Sequence, residues 1–122
     1  MPGFWKIVYY NTLSSKYPVK DFIDKLDNIT QAKVSNSFDL LSEFDIKLRA
    51  PHTKKVASTP LWELRVLGKC SIRLFYVAKV DREFLMLHGF TKKGQKTPKK
   101  EIKTAFNRLR EFDSRTCNIA IL

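Results

Sequence analysis

The segment WELRVLGKCSIRLFYVAKVDREFLMLHGFTKKGQKTP, residues 62–98, predicts three consecutive β-strands followed by a basic loop. Apolar and polar side chains alternate over residues 62–67 and again over 71–79, which is the two-residue period of a half-buried strand. Gly68 lies between these runs, where a hairpin needs a positive φ or a bulge. A third run, residues 84–91, is apolar on both faces, as expected of a central strand.

The length of the hairpin loop decides which side chains share a face. A two-residue loop would pair Leu67 with Cys70 and bury one arginine, whichever face forms the core. A three-residue loop, 68–70, pairs Arg65 with Arg73 and makes one face wholly apolar, so we predict this register. Two arginines directly opposite each other repel by roughly tenths of a kcal/mol, which suggests an anion held between them.

A helix is predicted to follow the basic loop. Thr97 is a candidate N-cap and Pro98 suits the first helical position, where its missing N–H is not needed. Apolar residues recur at helical spacing, which indicates the buried face. These residues are Ile102, Ala105, Phe106, Leu109 and Phe112.

The remaining segments complete a predicted α+β domain. Residues 5–10 indicate a strand, at the edge of the sheet or paired with a later strand, and two helices are predicted from Pro18 and from Thr30 to about residue 45. Residues 46–60 are predicted to form a long loop, and the tail 116–122 to add an edge strand, cover an apolar patch or stay disordered. We therefore predict a small antiparallel sheet of about four strands, with an N-terminal helical hairpin packed on one face and a C-terminal helix.

Composition indicates a single intracellular domain. The 122 residues, 43% of them hydrophobic, suffice for one core, so residues 1–122 are expected to form one unit. Cys70 and Cys117 are expected to be free thiols, because no signal peptide precedes the chain and no stretch reaches membrane-spanning length. These features predict a cytoplasmic protein without a membrane partner.

The net charge of +11 is concentrated in one part of the chain. Residues 1–46 carry five Lys against six acidic residues, whereas residues 47–122 carry eighteen Lys and Arg against six. Such asymmetry favours a polyanionic partner, and nucleic acid is the abundant one in a cytosol.

The candidate site is cationic. Four glycines leave no room for a phosphate-cradling loop, and no His or Cys residues have chelating spacing, so neither a metal nor another cofactor is expected. Fixed cations stabilise the charge that develops when a ribose 2′-hydroxyl attacks the adjacent phosphate, so this collection suits RNA cleavage without a metal. The converging residues are Arg65, Arg73, Lys92, Lys93 and Lys96.

The sequence offers several candidates for the general base and for further contacts with RNA. Glu63, His88 or a lysine could accept the proton. Phe75, on the arginine face, could stack on an unpaired base. Lys54 and Lys55 in the predicted loop, and Lys99 and Lys100 on the last helix, are additional candidates for contacts with RNA.

Several segments resemble one toxin family. WELR (62–65), IRLFYV (72–77), LMLHGFTKKGQKTP (85–98) and EIKTAFNRL (101–109), together with PVKDF (18–22), are similar to the phage-derived HigB-type branch of the RelE/ParE toxin superfamily. The resemblance implies a RelE-like fold and a ribosome-dependent mRNA endonuclease, the toxin of a type II toxin–antitoxin system. Its expected partners are mRNA, the ribosome and a cognate HigA-like helix-turn-helix antitoxin, with which it would form a hetero-oligomer.

The resemblance also implies roles for particular residues. The family's sheet arginine matches Arg73, its basic residues after the last strand match Lys92 and Lys93, and Arg65 corresponds to the arginine of its ELR motif. No tyrosine follows Lys93, which disfavours the version of the chemistry that uses lysines and a tyrosine. Two alternatives remain: a ParE-like toxin that inhibits DNA gyrase without cutting nucleic acid, and a basic nucleic-acid-binding module.

Overall fold

The computed structural model describes residues 4–44, 47–48, 51–68, 71–94 and 96–121, with side chains as far as Arg115. Within these residues, five strands form one sheet of order β1-β5-β4-β3-β2, accompanied by three helices. The elements are β1 (Lys6–Tyr9), α1 (Pro18–Asp24), α2 (Asn28–Phe44), β2 (Thr53–Lys55), β3 (Trp62–Val66), β4 (Ile72–Lys79), β5 (Glu83–Thr91) and α3 (Lys99–Ile121).

The β3–β4 hairpin has the predicted register. Arg65 pairs with Arg73, Leu64 with Leu74 and Val66 with Ile72. Gly68 has a φ of 144°, the positive value expected where the chain leaves β3, while loop residues 69 and 70 lie outside the described residues. Register therefore follows from the requirement that one face be apolar.

The α+β class is confirmed, but the sheet is mixed and has five strands. β1 pairs in parallel with β5, from Lys6 opposite Glu83 to Tyr9 opposite Met86. β2 forms an edge strand antiparallel to β3 within the segment predicted as a long loop. Three residues are too few to produce a visible alternation, and β2 exists because the edge of β3 offers free backbone partners.

The helical hairpin packs on one face of the sheet, as predicted. Val19 and Ile23 of α1 and Val34 and Leu41 of α2 join inward residues of β3, β4 and β5 in one apolar cluster. Asp27 caps α2, because its carboxylate accepts a hydrogen bond from the Thr30 backbone N–H at 2.6 Å. The helix therefore begins at Asn28, two residues before the predicted start.

A glycine in β5 allows α1 to approach the sheet. Gly89 lies opposite Leu74, and a Cβ atom at this position would come within 2.7 Å of both Leu74 Cδ2 and Phe22 Cδ2. Trp62 belongs to this face by register but lies at its border with 36% of its surface exposed, and Lys55 Nζ is 6.0 Å from the centre of its ring.

The C-terminal helix covers the opposite face. Ala105 and Leu109 of α3 are buried against Phe75, Leu87 and other residues of a second cluster. Phe106 is 36% exposed, so its predicted burial is wrong: α3 turns this position away from the sheet. The helix continues to Ile121, so the tail does not add the edge strand that was one of its predicted states. Whether the tail covers an apolar patch stays a prediction, since its side chains lie outside the described part of the chain.

Two sequence predictions concern positions without described side chains. Cys70 lies outside the described residues, and so does the side chain of Cys117, so their expected thiol state stays a prediction.

Among the described helices, none combines the length and apolar character needed to cross a bilayer.

Candidate functional site

A cleft of about 290 Å³ opens beside the sheet edge formed by β2 and β3. The segment after β5 and the start of the loop after β2 complete its walls. Lys54 faces the same side of the sheet as its partner Glu63, because directly paired residues share a face. The lining residues are Lys54, Lys55, Val56, Ala57, Glu63, Lys92, Lys96 and Thr97.

Glu63 is the centre of the polar arrangement and is only 3% exposed. Its Oε1 lies 3.3 Å from Arg65 Nε and 3.2 Å from Arg73 Nε, and its Oε2 accepts a hydrogen bond from the Thr97 hydroxyl at 3.3 Å. A buried carboxylate needs such partners, since an unpaired charge is costly away from water. The Thr97 hydroxyl thus donates to the site, while its predicted role as the N-cap of α3 stays a prediction.

The internal carboxylate explains why two arginines lie opposite each other. The register places Arg65 and Arg73 side by side, and the anion that their pairing requires is supplied by the chain itself. Burial lowers the pKa of the Arg73 guanidinium, the Glu63 carboxylate opposes this effect, and Arg65 adds to it. Arginine is nevertheless charged at any physiological pH.

The Arg73 guanidinium is fixed by a hydrogen bond, but its Nε–H has no hydrogen-bond acceptor. Its Nη1 donates to the carbonyl oxygen of Ile72 at 3.1 Å, while the buried Nε is close to Glu63 but has no partner with hydrogen-bonding geometry. The guanidinium is thus fixed in place, with an N–H that a small shift of Glu63 would satisfy.

The lysines surround this triad from different elements. The Lys92 backbone N–H donates to Ser71 O at 2.7 Å, which fixes the first residue after β5 against the neighbouring strand. Lys54 and Lys96 are exposed at the cleft. Lys55 also lines it, but its ammonium donates to the Thr59 carbonyl oxygen and is less available to a ligand.

The other predicted cations lie around the cleft. Lys93 is exposed and adjacent to Lys92, but it is not part of the cleft wall. Lys99 and Lys100 are exposed on the first turn of α3, and Lys99 borders a second recess. The structure therefore gathers Arg65, Arg73, Lys54, Lys92 and Lys96 around Glu63 and leaves Lys93, Lys99 and Lys100 on the adjoining surface.

Phe75 does not belong to the accessible site. It pairs with Glu63 in the sheet, yet its side chain is 0% exposed and its ring centre lies 5.3 Å from that of Phe90 beneath α3. The helix that covers this part of the arginine face could not be placed from strand register. Its burial rules out the predicted stacking of Phe75 on an unpaired base.

His88 is engaged by two partners from α3. Its Nε2 lies 2.8 Å from Glu101 Oε1, and Arg108 Nη1 lies 3.2 Å from its Nδ1. Arginine has no acceptor, so Nδ1 must accept, and the neutral ring then carries its proton on Nε2 and donates it to Glu101. Burial lowers the pKa of His88, the hydrogen bond to Glu101 raises it, and Arg108 lowers it further, for a net decrease.

Arg108 was not among the residues that the sequence predicted for the site. Its guanidinium also donates to the Leu87 carbonyl oxygen at 2.9 Å and lies 5.9 Å from the centre of the Tyr10 ring. Glu101 and Arg108 are seven residues apart on α3, so both point to one side of the helix. That spacing was the one available sign that they act together.

The arrangement can bind and polarise an anion. The residues that line the cleft, together with Arg65 and Arg73 next to Glu63, carry six cations and one carboxylate. They lie on a sheet edge and on an adjoining segment that is fixed by backbone hydrogen bonds. Among the residues that the structure describes, no three His, Cys, Asp or Glu side chains are grouped so as to hold a metal ion. Fixed cations of this kind favour developing phosphoryl charge.

Comparison with known proteins assigns the chain to a family. Residues 21–110 match the family model described as Phage derived protein Gp49-like (DUF891), and this range includes the end of α1, all of α2, all strands except β1 and the first half of α3. None of the curated proteins matches the chain. The match covers well over half of the sequence and every residue of the cleft. The chain therefore belongs to the Gp49-like family of phage-derived proteins, a toxin-like family of the RelE/HigB type.

Proposed function

We propose that the chain is the toxin of a type II toxin–antitoxin system and that it inhibits translation as a ribosome-dependent mRNA endonuclease. The observation that carries this proposal is the cleft, in which lysines from β2 and from the segment after β5 surround one carboxylate that is paired with two arginines. Membership of a toxin-like phage-derived family supports the same conclusion.

In the proposed reaction, the ribose 2′-oxygen attacks the adjacent phosphorus and the bond to the 5′-oxygen breaks. The 2′-proton passes to Glu63, which is in the cleft wall and has lone pairs left on Oε2 beyond the one used by Thr97. The departing 5′-oxygen takes a proton from a cleft lysine or from water. The products are a 2′,3′-cyclic phosphate and a 5′-hydroxyl, so no metal or other cofactor is required.

The cations have separate tasks in this proposal. Lys92, Lys96 and Lys54 contact the phosphoryl oxygens, whose charge increases in the transition state. Arg65 and Arg73 hold Glu63 in place and add positive potential behind it. Each donor aimed at the developing charge contributes about 10²- to 10³-fold in rate.

Glu63 suits the role of base better than His88 does. Both ring nitrogens of His88 are occupied by Glu101 and Arg108, and His88 does not line the cleft, whereas Glu63 does. His88 then acts as a support of the β5–α3 contact. Lys93, Lys99 and Lys100 lie outside the cleft, where they would contact the RNA backbone or the ribosome.

In this proposal the ribosome holds the mRNA in a conformation that can react. The cleft is open, so binding alone would leave a flexible single strand in many conformations, most of them unreactive. An mRNA held in the decoding site is already ordered, which removes much of that entropic cost. This function requires a cytoplasmic location and a cognate antitoxin, expected to be a HigA-like helix-turn-helix protein that forms a hetero-oligomer with the toxin.

The test is cleavage by the purified protein of mRNA on translating ribosomes, with mapping of the new 5′ ends. Wild type should cut, and Arg73→Ala should lower cleavage at least 100-fold while Arg73→Lys retains more activity. Lys20→Ala on α1, which removes an exposed cation on the opposite face, is the control. Inhibition of DNA gyrase supercoiling without RNA cleavage would instead establish the ParE-like alternative, and neither activity would leave a nucleic-acid-binding module.

A further inference from the structure

A second recess, of about 280 Å³, lies beside the cationic cleft. Residues 56 and 57 line the cleft and residues 58 and 59 line this recess, so one short loop forms the wall between them. The N-terminal half of α3 forms the other side. The lining residues are Ser58, Thr59, Lys99, Ile102, Lys103 and Phe106.

The recess has an apolar floor between basic and hydroxyl-bearing edges. Ile102 and Phe106 are four residues apart and so lie on one face of α3, with Lys99 and Lys103 beside them at the same spacing. Phe106 is 36% exposed, although it is the kind of residue a helix normally buries. An aromatic ring next to two lysines is the combination that binds single-stranded nucleic acid without a dedicated base pocket.

The wall of the recess is pre-formed. The Thr59 hydroxyl donates to the Val56 carbonyl oxygen at 2.9 Å and accepts from the Leu61 backbone N–H at 3.1 Å. Ser58 has a φ of 65°, a conformation that costs a non-glycine residue free energy and is often retained at ligand sites. The loop therefore holds its shape through hydrogen bonds of its own.

We propose that this recess is a nucleobase subsite, in which a base flanking the cleaved phosphodiester stacks on Phe106. Lys99 and Lys103 contact the phosphates of that nucleotide, and the hydroxyl of Ser58, which lines the recess, hydrogen-bonds the edge of the base. The assignment rests on the proposed RNA cleavage, and it gives the toxin an aromatic contact with RNA that buried Phe75 does not provide.

An apolar peptide is the competing occupant. Continuity with the cationic cleft favours RNA, because a strand held by Lys92 and Lys96 must leave the cleft across an adjoining surface. Lys99 and Lys103 at the rim also favour RNA over a peptide, since they attract successive phosphates of a strand. The experiment below distinguishes peptide binding from RNA binding at this recess.

The experiment measures binding of a fluorescent single-stranded RNA of seven nucleotides, protected from cleavage by 2′-O-methyl groups. Phe106→Ala should weaken binding about 10-fold or more, the range found for loss of one stacked base, and Phe106→Tyr should bind as wild type does. Phe44→Ala is the matched control, because Phe44 is 44% exposed on α2 at the opposite face and its loss should leave binding unchanged.

The outcomes separate the subsite from the reaction. Equal binding by wild type and Phe106→Ala, or no binding by wild type, overturns the subsite even if unmodified mRNA is cut on ribosomes. Weaker binding by Phe106→Ala supports it, and supports it still if no RNA is ever cleaved, in which case only the proposed reaction fails. A Phe106→Ala variant that binds RNA normally but loses the antitoxin shows a peptide-docking recess and overturns the proposal.

Discussion

Replacing Glu63 by Gln tests whether the Glu63 carboxylate stabilises the protein by compensating the charges of Arg65 and Arg73, whatever the function of the site. The change keeps the size of the side chain and one carbonyl acceptor but removes its negative charge. Arg65 and Arg73 would then face each other across the β3–β4 pair with no anion within 3.3 Å of their Nε atoms. We expect a less stable protein with an unchanged fold.

The size of the effect follows from burial. Removing one partner of a fully buried ion pair costs about 3–5 kcal/mol, because the remaining charge is left uncompensated. Here the arginine side chains keep 26% and 16% of their surface exposed, so water and counterions recover part of that cost. We expect a loss of about 2–3 kcal/mol in the free energy of unfolding, or a decrease of about 1–2 M in the urea midpoint.

Urea unfolding followed by circular dichroism measures this loss. Asp24→Asn is the control, because it makes the same chemical change in an exposed ion pair with Lys20, where little effect is expected. Phosphate should stabilise Glu63→Gln more than it stabilises wild type, since the uncompensated arginines then form an anion site. A Glu63→Gln variant with the wild-type midpoint, or with no added response to phosphate, would refute the reasoning.

Three further predictions concern packing, pH and RNA binding. Gly89→Ala should lower the unfolding free energy by about 1–3 kcal/mol through overpacking, whereas Gly94→Ala, with nothing within 4 Å of an added Cβ, should be neutral; equal midpoints in urea would contradict this account. The lowered pKa of His88 means that the unfolded chain binds its proton first as pH falls. Stability from this residue is therefore fully present above about pH 6.5 and is lost as pH falls through the folded pKa, and His88→Gln should remove that part of the pH dependence of the melting temperature. Lys92→Ala combined with Lys96→Ala should reduce the slope of log binding constant against log salt for single-stranded RNA by roughly 1.4, about 0.7 for each lost phosphate contact; an unchanged slope would exclude the cleft as the RNA contact.

Much of the fold was accessible from the pattern of apolar residues. The β3–β4 register followed from the demand for one apolar face, and it correctly placed Arg65 opposite Arg73. The helical hairpin and the burial of Ala105 and Leu109 on α3 followed from helical periodicity. The failures were β2 and the parallel pairing of β1, because a three-residue strand has no readable period and strand direction depends on the path of the intervening chain.

The site was predicted in its composition but not in its connections. The cations around residues 65, 73 and 92–96 were identified, and so was Glu63. That Glu63 is the anion between the two arginines required knowledge of the side-chain directions. The depth of α3 over the sheet decided that Phe75 is buried and Phe106 exposed, since a helical repeat fixes relative positions on a helix but not its rotation against the sheet.

The sequence by itself determined the α+β class, the hairpin register and the concentration of positive charge in the second half of the chain. These properties depend on local spacing and on the requirement that apolar side chains share a face. Only the tertiary structure decided which groups meet: Glu63 with two arginines, His88 with two residues of α3, and Phe106 with the loop after β2. Such contacts join residues far apart in the chain, and their geometry depends on how whole elements pack.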